Sequence, residues 1–175
     1  MTTRPDPLLR ATRLLLWLIM GLSAVAGVAL LVAAPFFWAF SGRNVVLAAN
    51  QGMELTARDA ATALSVLIVA GLILLALAFQ FLRKLVAIID SVQDGSPFIP
   101  ENAARLRAMG WIALAFQGMS LLAVPAEIWL ARIVPRMPVQ IHFTLFGVLV
   151  ALLLFVLARV FDRGIALERD VEGTV

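Results

Sequence analysis

The sequence contains no cysteine. Disulfides, thiolate metal sites and thiol nucleophiles are therefore excluded, and cysteine usage carries no information about the redox compartment. There is a single histidine, His142. Bis-histidine haem ligation within one chain is excluded with it, as is a His-rich metal site. Charge is scarce as well. Only 14% of residues are charged, against about 25% in soluble domains. The chain has no Ser/His/Asp signature, no glycine-rich phosphate loop and no pair of carboxylates deep in an apolar run. Its formal charge is +3, but the basic residues are spread along the chain, which argues against a polyanion partner. No catalytic residue, metal ligand or cofactor site is expected. The chain is expected to be neither an enzyme nor a direct binder of nucleic acid.

Apolar side chains are abundant. They make up 62% of the 175 residues, and the mean hydropathy is +0.99. A water-soluble fold of this size has too little interior to hide them. The charged residues leave four long gaps, at 14–42, 60–82, 108–126 and 137–158. A helix of about 20 apolar residues crosses a hydrocarbon core of about 30 Å. Four such gaps predict four spans, near 14–40, 60–82, 109–130 and 141–161. The runs are continuously apolar, whereas barrel strands would alternate with period two and be about half as long. Arg4, Arg10 and Arg13 resemble the basic region of a signal peptide, but the run after them is about twice a typical 7–15-residue signal core. It reads as a retained span. The fold class expected is therefore all-α, an integral membrane four-helix bundle running up-down-up-down as a single domain.

The basic residues orient it. Arg4, Arg10, Arg13, Arg83, Lys84, Arg105, Arg107, Arg159, Arg163 and Arg169 fall on one side; Arg43, Arg58, Arg132 and Arg136 fall on the other. Short loops rich in Lys and Arg stay inside. Both termini and the 83–107 loop are thus expected to be cytoplasmic, in a bacterial inner membrane. Tryptophan favours the interface because its ring is apolar and its N–H seeks water. Trp17 and Trp111 lie near expected inner span ends, and Trp38 and Trp129 near outer ends. Single cysteines introduced at Asn50 and Ser96 test the orientation. A membrane-impermeant thiol reagent on intact cells should label position 50 and spare position 96; the reverse pattern would invert the topology.

Helices in a bilayer associate through small residues, because lipid tails are as apolar as leucine. Ser23 with Gly27, and Gly147 with Ala151, offer such spacing. Packing within one bundle is the plainer reading, since four spans already supply neighbours; a dimer face is the sharper one, and the oligomeric state stays open. Thr56 and Asp59 form a capping-box pattern that would start the second helix. Gln80 and Gln117 are candidates for hydrogen bonds across helices.

The loop after the second span is the most informative segment. Leu82, Leu85, Val86 and Ile89 keep a helical apolar stripe beyond the last span residue. Asp94-Gly95 then offers a C-terminal cap. Residues before Pro97 and Pro100 avoid the α region, and Pro100 suits the first turn of a new helix, with Glu101 at its positive end. Glu101 and Arg105 are spaced as an i, i+4 pair. The expectation is a helical hairpin continuous with spans two and three, with Phe98 at its tip unless it folds back on the stem. Span four continues in the same direction into a tail carrying Asp162, Glu168, Asp170 and Glu172. Arg105 or Arg107 is expected to meet Asp170 or Glu172. The plainer reading of these charges is topogenic, a solvated face. The functional reading is a docked surface for a partner.

The run from Gly95 to Trp111, which contains Pro97, Phe98, Glu101, Asn102, Arg105, Arg107 and Gly110, resembles the signature of an uncharacterised family of small bacterial membrane proteins, a domain of unknown function. The closing Phe161-Asp-Arg-Gly164 and Asp170-Val-Glu172 stretches are similar to that family's C-terminus. The resemblance implies four spans and a cytoplasmic loop reading Gly-x-Pro-Phe, Glu-Asn, Arg-Leu and Gly. Members of that family are often encoded beside a small Cro-like helix-turn-helix regulator, so the resemblance also implies a regulatory role at the membrane, with a cytoplasmic transcription regulator as the expected partner. It lends no catalytic residues.

At the other side, Glu127 lies near the outer end of span three, His142 one turn into span four, and Arg132 and Arg136 between them. Charged groups within a bilayer are functional candidates. This set would bind an anion or titrate together; the plainer reading is interfacial pairing with snorkelling side chains. Broken helices or midplane polar groups would mark a transporter, and Pro35 and Pro125 interrupt spans only near outer ends. The leading expectation is a regulatory or partner-binding membrane protein that works through Pro97, Phe98, Glu101, Asn102, Arg105, Arg107, Asp170 and Glu172. The alternative is a small-ligand binder or transporter-like protein that uses Glu127, His142 and Arg132.

Overall fold

The computed structural model describes residues 7–49, 57–95, 97–133 and 143–172. Among them the chain forms four helices: α1 (Pro7–Ala49), α2 (Ala57–Gln93), α3 (Pro100–Ile133) and α4 (Leu145–Glu172). Each is long and apolar enough to cross a membrane. Proline opens α1 and α3, where its missing N–H costs nothing and its fixed φ suits the first turn. Thr56, half of the expected capping box, lies outside the described residues. The fourth helix begins at Leu145, four residues after the expected start of the span. Thr144 supplies the reason: its Oγ1 accepts from Gly147 N at 3.2 Å and its carbonyl accepts from the same N–H at 3.1 Å, so it caps the helix.

Neighbouring helices run antiparallel. Along α1 and α2 the contacts Arg13–Asp90, Gly27–Leu75 and Leu30–Gly71 proceed in opposite directions. Along α3 and α4 the contacts Arg107–Asp162, Gly110–Phe155 and Gln117–Gly147 do the same. Among the described residues the backbones pack in chain order, α1 on α2, α2 on α3 and α3 on α4. A hollow lined by Ile19 and Ser23 of α1, Gln117 of α3 and Phe146 of α4 separates the first helix from the last two. Both small-residue pairs are used within the chain. Gly27 faces Leu75, Gly147 lies beneath the Gln117 side chain, and Ala151 is fully buried.

The core is uneven. One cluster joins Leu16 and Met20 of α1 to Val86 and Ile89 of α2; a second joins Leu106 and Met109 of α3 to Leu154 and Ala158 of α4. Both sit toward the hairpin end. Elsewhere leucine and valine side chains point outward, among them Leu14, Leu18, Leu22 and Val25 on α1 and Leu149, Leu153 and Val156 on α4. In water such a surface would aggregate; in a bilayer it is what lipid solvates. Trp17, Trp111 and Trp129 are also partly exposed, at 54%, 64% and 37%, as interfacial anchors require. The side chain of Trp38 lies outside the described residues.

Candidate functional site

The hairpin is locked from inside by Asn102. Helix α2 ends where the sequence pattern places it: Asp94 N donates to Asp90 O at 3.0 Å and Gly95 N to Val92 O at 3.2 Å. Gly95 has φ +81°, a conformation that costs other residues a Cβ clash. The chain then crosses Pro97–Ile99 and re-enters a helix at Pro100. Asn102, in the first turn, has no exposed surface. Its Nδ2 donates to Ser91 Oγ at 2.6 Å and to Pro97 O at 2.9 Å, and its Oδ1 accepts from Arg105 Nη1 at 2.7 Å. This orientation is forced, because a carbonyl only accepts and a guanidinium only donates. Ser91 Oγ donates in turn to Ile88 O at 2.7 Å, and Arg105 Nη1 also donates to Ala87 O at 3.2 Å. One amide thus ties together both stems and the turn between them.

The hairpin is docked on α4. Phe98 is not at a free tip. It folds back, its ring centroid 5.3 Å from that of Phe161, and it covers Gly164 so closely that a Cβ there would lie 2.8 Å from Phe98 Cδ1. It remains 42% exposed on its outer side. Gly110 admits Phe155 in the same way, and Phe155 meets Trp111 edge-on at 5.4 Å. Gly164→Ala should push the Phe98 ring off α4. The ring is the far end of a side chain, so only the aromatic contact is lost, about 0.5–1.5 kcal/mol. Chymotrypsin cleavage after Phe98 should rise; an unchanged cleavage rate would mean the ring is not seated by Gly164.

Arg107 Nη2 meets Asp162 Oδ2 at 2.9 Å; the side chains of Asp170 and Glu172, its expected partners, lie outside the described residues. Antiparallel packing sets Arg107 level with Asp162, while Asp170 lies eight residues and about 12 Å further along α4. Arg105 does not share the job. Residues two apart on a helix do not face the same neighbour, and Arg105 turns to α2. Nor does Arg105 pair with Glu101 among the described residues; its Nη1 goes to Asn102 and Ala87. Glu101 is exposed in the first turn of α3. Pro97 is half-buried and contributes its carbonyl to Asn102.

At the opposite end Glu127 is half-buried on α3 and is engaged in an interaction. His142 and the side chain of Arg132 lie outside the described residues, so the expected Glu127/His142/Arg132 set does too. Gln117 does bridge helices: its Oε1 accepts from Thr144 N at 3.1 Å. Among the described residues no group of three or more His, Cys, Asp or Glu side chains is placed to hold a metal ion.

Four long apolar helices with a polar-locked hairpin at one end define a polytopic membrane protein. The chain belongs to the family described as Protein of unknown function (DUF2975), whose profile matches residues 47–175, 129 of 175 residues. The match takes in α2, α3, α4 and the hairpin; almost all of α1 precedes it. No curated protein and no solved structure is significantly similar.

Proposed function

We propose that the protein is a membrane-embedded binding protein that presents its hairpin and the α4 extension to a soluble cytoplasmic partner, with both termini and the hairpin inside. One observation carries this reading. The hairpin is shaped by a fully buried asparagine and docked by Phe98 and Arg107 onto α4. Crossing a bilayer requires none of these contacts; a loop that merely connected two spans would have no use for a fixed form. Glu101, Arg107 and the outer side of Phe98 are among the polar and aromatic groups this form leaves exposed. The resemblance noted above suggests the partner's class, a helix-turn-helix transcription regulator, which would make the interaction regulatory.

The test is photocrosslinking in the native membrane. A photoreactive residue at Glu101 should capture a discrete soluble protein, whereas one at lipid-facing Leu152 should capture lipid alone. Arg107→Asp should lower capture, and Asp162→Arg in the same chain should restore it. Equal capture by the wild type and Arg107→Asp, at equal insertion, would remove the case for this surface.

A further inference from the structure

A second feature lies on another face of the hairpin end. Gln80, Arg83, Lys84 and Ala87 of α2 and Arg105 of α3 line an open cleft of about 280 Å³. Three cations converge on it. Among the described residues none of them is ion-paired to an acid, since the ion pairs are Arg13–Asp90 and Arg107–Asp162. The two oxygens that Arg105 holds through Nη1, Ala87 O and Asn102 Oδ1, are neutral, so its charge is not compensated there. The Asp90 carboxylate lines an adjoining hollow but has its own cation, Arg13 Nε at 3.3 Å.

The cleft does not stand alone. Through Arg83 and Ala87 it joins that hollow, of about 340 Å³, which Trp17, Met20 and Phe79 also line. The cleft shares Gln80, and the hollow shares Phe79, with an apolar trench of about 460 Å³ between α1 and α2. Small residues, Ser23, Ala24, Gly27 and Ala76, keep the trench open between Leu31 and Leu72. From Leu72 to Lys84 a helix rises about 18 Å, close to the depth of one leaflet, half of a core of about 30 Å. Arg83 and Lys84 stand where the uncharged run of α2 ends, where a spanning helix would leave the hydrocarbon core.

We infer that this groove holds one anionic phospholipid, its phosphate among Arg83, Lys84 and Arg105 and an acyl chain along the α1–α2 trench. Charge complementarity selects the head and the apolar trench selects the tail. Basic pockets between helices on the cytoplasmic side recognise lipid headgroups by this chemistry. The site is distinct from the surface formed by Phe98 and Arg107 on α4, and it does not depend on a protein partner. Topogenic charge alone would need neither convergence on a cleft nor a trench beneath it.

The experiment is native mass spectrometry of the full chain, offered phosphatidylglycerol and phosphatidylcholine with identical acyl chains. Wild-type protein should retain phosphatidylglycerol at least about tenfold better, given a contribution of about fivefold per cation near the surface. Arg83→Gln with Lys84→Gln should lower that retention about 25-fold on the same scale. Because those charges also orient the chain, Gly27→Leu provides a second variant. It fills the trench, leaves every charge in place and should release the lipid. Equal retention of the two lipids by wild type would overturn the inference. So would unchanged phosphatidylglycerol binding in Gly27→Leu, whether or not the double variant inserts. Displacement of the lipid by excess inorganic phosphate, with Gly27→Leu without effect, would identify a free-phosphate cleft instead.

Discussion

Asn102→Ala is expected to destabilise the hairpin by about 3.5–5 kcal/mol. The side chain has no exposed surface and makes three hydrogen bonds to the protein. Two are to neutral groups, each worth about 1 kcal/mol net, and the third is to a charged guanidinium, worth about 1.5–3. Alanine removes all three and leaves Pro97 O and Ser91 Oγ without the donor that ties them to α3. Arg105 keeps Ala87 O but loses the acceptor that holds its guanidinium between the helices. Amide hydrogen exchange reads the effect directly. Protection of residues 88–106 should fall by two orders of magnitude or more, while the membrane-spanning part of α4 stays protected. Asn102→Asp separates the contributions: a carboxylate still accepts from Arg105 but cannot donate to Pro97 O, so it should recover part of the loss. Wild-type protection in Asn102→Ala would mean that the hairpin is held by its apolar contacts alone.

This lock was only partly legible in the sequence. The spans were legible because charge is costly in hydrocarbon, so gaps in charge mark them. The end of α2 was legible because Asp94-Gly95 is a local signal, and the start of α3 because Pro100 is. Asn102 was not. An asparagine in a polar stretch reads as a surface group, and only the fold of the hairpin brings Ser91 and Pro97 together at its amide nitrogen. The cap at Thr144 was missed for a local reason: Gly147, not an acid, stands three residues later, so no capping box announces it. The pairing of Arg107 with Asp162 depends on the register between α3 and α4, which is set by how closely Gly110 and Gly164 admit the rings of Phe155 and Phe98. Sign and side of the membrane give a list of acids, not the right one.

The two patches that carry the family resemblance, the Gly95–Trp111 run and the Phe161–Gly164 stretch, lie far apart in the chain and touch in the fold. Phe98 rests on Phe161 and Gly164, and Arg107 reaches Asp162. Their residue types follow from that contact: two glycines where rings approach, two aromatics to fill the space, and one ion pair at the rim. An exposed pair of this kind is worth only about 0.2–1 kcal/mol, so it fixes register more than it stabilises. Packing has to do the rest, and its most sensitive point is Gly110.

Gly110→Val is expected to cost about 1–3 kcal/mol, the usual range for overpacking a tight contact. A Cβ at this position would lie 2.9 Å from both Cε1 and Cζ of Phe155. The ring cannot simply swing away without losing Trp111, its edge-on neighbour at 5.4 Å. The burden falls on the spacing of α3 and α4, and with it on the Leu106, Met109, Leu154 and Ala158 cluster one turn away. Removing the obstruction should relieve it. Phe155→Ala alone forfeits a half-buried ring and is itself destabilising, but in the double variant valine occupies part of the space the ring leaves. The two losses should therefore add to less than their sum, with a coupling of about 0.5–3 kcal/mol. Unfolding of all four proteins in mixed micelles measures that coupling. Strict additivity would show that Gly110 and Phe155 do not share the space the structure gives them, and the register argument for Arg107 and Asp162 would lose its basis.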